Sequence, residues 1–243
     1  MGGFWSKNGL SVKVLCSLPG VATQIIVSTK EEVDVLLDCG SGVLRDLLLN
    51  HYRKSIFFNN ISAILISHEH FDHVGGLYSL LDFMHMIGRG KPLTIFVPKP
   101  SKVTKRLIEA LINFRRSKLA YHVNLIEVED QDIIKIEPLK IKAFKVVHRG
   151  STETEPCGPL IPAVGYTIQY KNLRIVYSGD TGLTESLKEE VMDADLAILE
   201  ATWLEDKGLT EIHLSEKQAI ELGRSAKDFM LIHRLRDLKA FLK

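Results

Sequence analysis

The chain has 243 residues, 45% of them hydrophobic and 25% charged, enough to bury a substantial core in one large domain or two small halves. Its 31 Lys and Arg stand against 30 Asp and Glu, a net charge of +1 that carries no whole-chain signature of nucleic-acid binding; any such substrate would have to be gripped locally. No apolar run approaches the roughly 18 residues a membrane span needs, and Cys16, Cys39 and Cys157 have the spacing of neither a disulfide framework nor a cysteine zinc site, so no membrane partner and a cytoplasmic, reducing setting are expected.

From the amino terminus, strand-like runs over 11–16, 24–28 and 33–38 are separated by Pro19-Gly20 and by Thr29-Lys30-Glu31-Glu32, which predicts an antiparallel meander. The third run passes through Asp38-Cys39-Gly40-Ser41-Gly42, a strand-to-helix turn, into a helical pattern with Val43, Leu44, Leu47 and Leu48 on its apolar side. The apolar run 61–67 reads as a buried strand, and a helix is predicted over about 74–87. A strand over 93–97, closed by Pro98, leads to an amphipathic helix over 103–114. Lys102, Lys105, Arg106, Arg115, Arg116 and Lys118 make that helix the most basic stretch of the chain, a pattern that is usually a solvated face. Strands follow over 123–128, 133–136, 139–147, 164–170 and 173–177, then a strand over 196–199, a helix over about 216–226 and a last strand over 229–232. Two βα-containing halves with strands between them predict an α/β (α+β) architecture of two sheets packed face to face and covered outside by helices, with residues 1–243 as a single domain.

His68-Glu69-His70-Phe71-Asp72-His73 places three imidazoles and a carboxylate in one short turn at the carboxyl end of the 61–67 strand, where open α/β sheets hold their ligands. Imidazole nitrogen and carboxylate oxygen are the donors of borderline divalent cations such as zinc, and a cation would relieve the cost of crowding them together. One motif does not close a two-metal site. Further donors directly follow other apolar runs: His148 after 139–147, Asp180 after 174–179 and His233 after 229–232. Their convergence on the first cluster is an expectation of the reading.

In this order the residues resemble the metallo-β-lactamase superfamily: the His-x-His-x-Asp-His motif at 68–73, the upstream Asp38-Cys39-Gly40, His148, Ser178-Gly179-Asp180-Thr181 and a terminal His233. Within it the chain is most similar to the ribonuclease Z branch, through Leu199-Glu200-Ala201-Thr202, His213-Leu214-Ser215 and Gly165-Tyr166. The resemblance implies a four-layer αββα metallo-β-lactamase sandwich with two divalent metal ions, zinc, with manganese as the alternative. His68, His70 and His148 would hold one ion, Asp72, His73 and His233 the other, and Asp180 would bridge them. A metal-bridging hydroxide would be the nucleophile. Asp72 would accept its proton, His213 would donate one to the leaving oxygen, and Glu200 would hold the His213 imidazole in one tautomer. Asp38 would brace the ligand loop from behind, and Arg149, beside His148 in a loop expected to shape the pocket up to residue 165, would pair with a phosphate. His51, His85 and His122 match nothing and are expected to be solvated or packing residues.

Two departures bear on substrate. Only 32 positions separate His148 from Asp180, which leaves no room for the tRNA-clamping arm of ribonuclease Z, and the amino-terminal loop offers Leu18-Pro19-Gly20-Val21-Ala22 in place of the family's basic sequence that reads the tRNA end. The expected function is therefore a dizinc phosphodiesterase acting on an RNA 3′ end or on a small or cyclic phosphodiester. The same fold also serves acyl, thioester or aryl sulfate ester hydrolysis, and a non-hydrolytic diiron or scaffold relative is a third reading. Many relatives dimerise, which admits a homodimer.

Overall fold

In the computed structural model, which describes residues 3–50, 55–116, 118–150, 158–205 and 212–242, the chain divides into two units, Met1–Glu127 and Val128–Lys243. The first is built on a seven-stranded sheet whose spatial order follows the chain: β1 (Phe4–Lys7), β2 (Leu10–Leu18), β3 (Ala22–Thr29), β4 (Asp34–Leu37), β5 (Ile61–Leu65), β6 (Leu93–Pro98) and β7 (Val123–Val128). The predicted meander is present, with one strand more than expected. Asn8 and Gly9, at φ 49° and 86°, form a two-residue turn with Lys7 opposite Leu10, the geometry that right-handed strand twist favours, and this adds β1 at the edge.

Strands β4, β5 and β6 are parallel. Val35, Leu36 and Leu37 of β4 and Ala63, Ile64 and Leu65 of β5 are completely buried, as strands covered on both faces must be. The crossovers are helical: α1 (Val43–Leu49) and α2 (Ser55–Asn60) between β4 and β5, α3 (Phe71–Val74) and α4 (Leu77–Met86) between β5 and β6, and α5 (Val103–Phe114) between β6 and β7. α4 buries Leu77, Leu80, Leu81 and Met84, a stripe of helical period, in one cluster with Val43, Leu47, Leu36, Ile64 and Ile95.

The helix expected over 74–87 is thus two helices broken at Gly75-Gly76. The break lets the Cys39-Gly40 turn come close: Gly76 N donates to Cys39 O at 2.9 Å, and a Cβ on Gly76 would stand 2.1 Å from Gly40 O. No other residue fits there.

The second unit carries a six-stranded sheet in the order β13-β12-β11-β10-β9-β8, made of β8 (Ile133–Ile136), β9 (Leu139–Lys145), β10 (Val164–Tyr170), β11 (Leu173–Tyr177), β12 (Leu196–Glu200) and β13 (Phe229–Ile232). β8 to β11 are antiparallel, whereas β11, β12 and β13 are parallel. β9 ends two residues before its expected limit.

Three helices belong to this unit: α6 (Glu185–Val191), α7 (Glu216–Gly223) and α8 (Leu235–Phe241). α6 starts where the Thr184 hydroxyl accepts from Leu187 N, and α7 where Ser215 and Gln218 cap each other reciprocally. α7 stops at Gly223, short of the expected 226, and the Phe229 ring lies where a Cβ on Gly223 would be, so only glycine fits there. Leu187, Val191, Ala219 and Leu222 pack with Val176, Ala197 and Leu199 of the sheet. Among the described residues no helix is long and apolar enough to cross a membrane.

Arg89 is the largest polar side chain fully inside the first unit. It donates to the carbonyls of Phe58, of Ile61 and Pro92, both at 2.8 Å, and of Lys91 at 2.8 Å, tying the end of α2 to the start of β6. Burial pushes its pKa down to about 10, which still leaves it charged at neutral pH. Arg89→Met would strip several buried carbonyls of their donor, and we expect a loss of about 3 kcal/mol in urea unfolding. A loss within error of zero would show that the guanidinium is not a structural tie.

Candidate metal centre

The first unit presents its donors on the loop after β5. Asp38, at the end of β4, is completely buried and takes a positive φ of 55°. Its Oδ1 accepts from Ser67 N at 2.7 Å, and its Oδ2 accepts from Ser67 Oγ and from His73 Nδ1, each at 2.7 Å. These bonds settle two tautomers. His73 donates from Nδ1, so its Nε2 carries the lone pair. The one Ser67 hydroxyl proton goes to Asp38, so Ser67 Oγ accepts from His68 Nδ1 at 3.1 Å and His68 likewise presents Nε2. Asp38 therefore has the bracing role expected of it.

His68 Nε2 lies 3.0 Å from His70 Nδ1, and His73 Nε2 lies 3.8 Å from Asp72 Oδ2. Donors at about 2.0–2.1 Å from one tetrahedral ion stand roughly 3.3 Å apart, so both spacings are those of ligand pairs. His68, Asp72 and His73 are buried and His70 half-buried. The loop is fastened on three sides. Gly20 N donates to Asp72 Oδ2 at 2.8 Å, Cys39 N donates to His73 O at 2.7 Å, and Glu69 caps α5.

The Glu69 carboxylate accepts from the backbone N–H groups of Lys102, Val103 and Thr104 and from Ser101 Oγ, at 2.8 to 3.0 Å. Burial works to raise its pKa, but the Lys102, Thr104 and Val103 amides outweigh it and hold the group below the ordinary carboxylate value. This role of Glu69 was not expected from the sequence, where it is only a spacer between two histidines. Cys39, pushed up first by burial and then by the Asp38 charge, is no nucleophile at neutral pH.

In the second unit, His148, Asp180, Glu200, His213 and His233 cluster at strand ends. The donors of His148, Asp180 and His213 lie within 4.8 Å of one another, as do those of Glu200, His213 and His233. His148 Nδ1 donates to Ile212 O at 2.7 Å, which leaves Nε2 as its lone-pair nitrogen.

Glu200, completely buried, collects five donors. Oε1 accepts from His213 Nδ1 at 2.8 Å, Thr181 N at 3.1 Å and Leu214 N at 3.2 Å; Oε2 accepts from Thr202 N at 2.9 Å and Thr202 Oγ1 at 2.8 Å. With its proton on Glu200, the Thr202 hydroxyl accepts from His233 Nδ1 at 2.9 Å, so His233 also presents Nε2, 3.6 Å from Asp180 Oδ2. His233 holds φ 54°, a strained value that recurs where surrounding structure fixes a functional side chain. Thr202 was missed as a functional residue, because its relay depends on where one hydroxyl proton goes.

Arg149 Nη1 donates to Gly158 O at 3.2 Å, and residues 151–157 of the loop expected to shape the pocket lie outside the described residues, as does His51. His85, expected to be solvated or packing, accepts from Ala120 N at 2.9 Å. The His/Asp donor sets, with each Nδ1 of His68, His73, His148 and His233 turned to a protein acceptor, suit divalent cations. Asp38→Asn keeps the shape but replaces one acceptor oxygen by an NH2 donor, so it cannot accept all three bonds from Ser67 N, Ser67 Oγ and His73 Nδ1, and zinc affinity measured by competition with a chromophoric chelator is expected to fall about 10- to 100-fold. Unchanged affinity would contradict the bracing role.

The beta-lactamase superfamily domain model matches residues 34–233. The ribonuclease Z of Archaeoglobus fulgidus is 28% identical over 82% of this chain and 77% of its own length, and the ribonuclease BN of Proteus mirabilis is 28% identical over 81% and 76%. The human short form of tRNase Z superposes with a TM-score of 0.72 at 23% identity over 92% of each chain, and the metallo-beta-lactamase fold protein YhfI from Bacillus subtilis with 0.72 at 21% over 94% and 87%. The two sheets with their helices are thus those of the metallo-β-lactamase fold. The chain belongs to the beta-lactamase superfamily and, with ribonuclease Z-like relatives along most of its length, is a metal-dependent hydrolase.

Proposed function

We propose that the chain is a dizinc phosphodiesterase acting on an RNA 3′ end or on a small or cyclic phosphodiester, with residues 1–243 working as one domain. His68, His70, Asp72 and His73 of the first unit and His148, Asp180 and His233 of the second would furnish the two metal positions, zinc or, as the alternative, manganese. Family membership and the fixed tautomers of the histidines support this ligand set. When bound, two such cations lower the pKa of a water toward neutrality and polarise the phosphoryl oxygens.

The observation that carries the substrate class is the His213–Glu200 pair. With Nδ1–H held on Glu200 Oε1 at 2.8 Å, His213 has Nε2 for transferring a proton to the leaving oxygen. An alkoxide, the leaving group of an RNA linkage, needs that proton; a thiolate or a sulfate monoester's aryloxide needs it far less. Asp72, whose Oδ2 accepts from Gly20 N, would accept a proton from the attacking water. Arg149 is the proposed contact with a substrate phosphate. The free thiols of Cys16 and Cys39 support a cytoplasmic setting, and family resemblance supports a homodimer.

Three outcomes are expected. Chelation should abolish hydrolysis of bis-p-nitrophenyl phosphate, and zinc or manganese should restore it; activity that survives thorough chelation would contradict the reading. In a panel with a thioester and an aryl sulfate, turnover should favour the phosphodiesters, and preference for either competitor would favour the ester hydrolase reading. His213→Ala should slow cleavage of an RNA linkage about a hundredfold or more while affecting the p-nitrophenyl ester much less, since p-nitrophenolate departs without a proton. Equal losses on both would remove His213 from proton transfer.

A further inference from the structure

Glu69 fastens the amino end of α5 to the loop that bears His68, His70, Asp72 and His73, so whatever α5 presents begins beside those ligands. What it presents is charge. Lys102, Lys105 and Arg106 are exposed at helical spacings of three and four residues, and Arg116 and Lys118 continue the charge past the end of the helix. Among the described residues none of these five is held in an ion pair, whereas Arg115 is withdrawn onto Asp82 at 2.6 Å and over the Phe114 ring. Glu109 is the one acid exposed along α5. Against these five positive charges stand Glu109 and, at the amino end of the helix, Glu69 and Glu127, whose carboxylates accept from the backbone of Ser101 to Thr104, so a local excess of positive charge remains in a chain whose net charge is +1. The helix is about 18 Å long, the reach of a short run of nucleotides.

A second exposed feature flanks the same ligands. Phe71, between His70 and Asp72, is 60% exposed. Most of that aromatic side chain is open to solvent, and every nucleobase has a face that stacks on such a ring. A cationic track with an aromatic platform at one end is what single-stranded nucleic acid requires.

We infer that α5 is the track along which the single-stranded RNA of the substrate lies, with the Phe71 ring stacking on a base next to the scissile linkage. This inference rests on the phosphodiesterase reading and gives it a local grip on RNA that does not use an arm. Charge on α5 sets affinity through the phosphates, and Phe71 sets it through a base; the two contributions separate by their salt dependence.

The test titrates the zinc-loaded protein with a fluorescein-labelled oligouridylate joined by phosphorothioate linkages, read by anisotropy over a range of salt. The slope of log affinity against log salt is about 0.7 per phosphate contact on a single strand, so the triple variant Lys102→Gln/Lys105→Gln/Arg106→Gln should flatten it by about 2. Phe71→Ala should weaken binding about tenfold and leave the slope alone. Glu109→Lys should tighten binding and steepen the slope, a gain that misfolding does not mimic. Absence of binding by the unaltered protein, or slopes that are the same in all variants, would overturn the inference. Hydrolysis of bis-p-nitrophenyl phosphate by the unaltered protein is scored separately: its absence beside intact, charge-dependent RNA binding would fell the catalytic reading while sustaining the track.

Discussion

The Asp38 carboxylate, buried at the end of β4, accepts two bonds from Ser67 and one from His73, and the ligand loop of the first unit depends on it. A buried carboxylate would be costly if it were not saturated with donors. Here saturation and ligand orientation are the same act. Because the donors are Ser67 and His73, and Ser67 in turn receives His68, one carboxylate decides which nitrogen two imidazoles present. The positive φ of Asp38 points the carboxylate at the loop, and the Asp38 N–H to Leu65 O bond at 2.9 Å holds it there.

Glu200 does for the second unit what Asp38 does for the first, with one difference that gives the site its chemistry. Through Thr202 it orients a candidate ligand, His233, and directly it orients His213, the proposed proton donor. One carboxylate thus fixes both a candidate ligand and a candidate proton donor. Glu69 makes a third connection, half-buried, from the same loop outward to α5. Each of the three works by collecting donors onto an anion, and each sits at a strand end or in the loop after one, where the backbone leaves the sheet and its amides become available.

Much of this was legible in the sequence because the ligands follow apolar runs directly. His68 to His73 are contiguous, and His148, Asp180 and His233 each come within three residues after a strand, so motif and strand reading reinforce one another. The missed elements have physical reasons. α6 and α8 are seven residues each and, unlike the equally short α1, show no full apolar stripe in Glu185–Val191 or Leu235–Phe241. β1 was legible, since Asn8-Gly9 is a strong hairpin signal, but its strand of Phe4–Lys7 is mostly exposed and reads as a polar terminus. The split of α3 from α4 was half visible in Gly75-Gly76; that Gly40 packs into the gap was not. Thr202 and Ser67 could not be found by residue type, because a hydroxyl gains its role only from where its single proton goes.

Anion-centred bracing explains how candidate ligands remote in sequence have fixed donor atoms. Its central claim is that His68, His73, His148 and His233 all ligate through Nε2. X-ray absorption at the zinc edge, combined with anomalous diffraction from the zinc-loaded protein, tests it directly. The expected result is two zinc ions roughly 3.5–4 Å apart, each with imidazole nitrogens at about 2.0–2.1 Å and with these four histidines bound through Nε2. Zinc bound through Nδ1 of His73 or His68, with Asp38 displaced from them, would contradict the account.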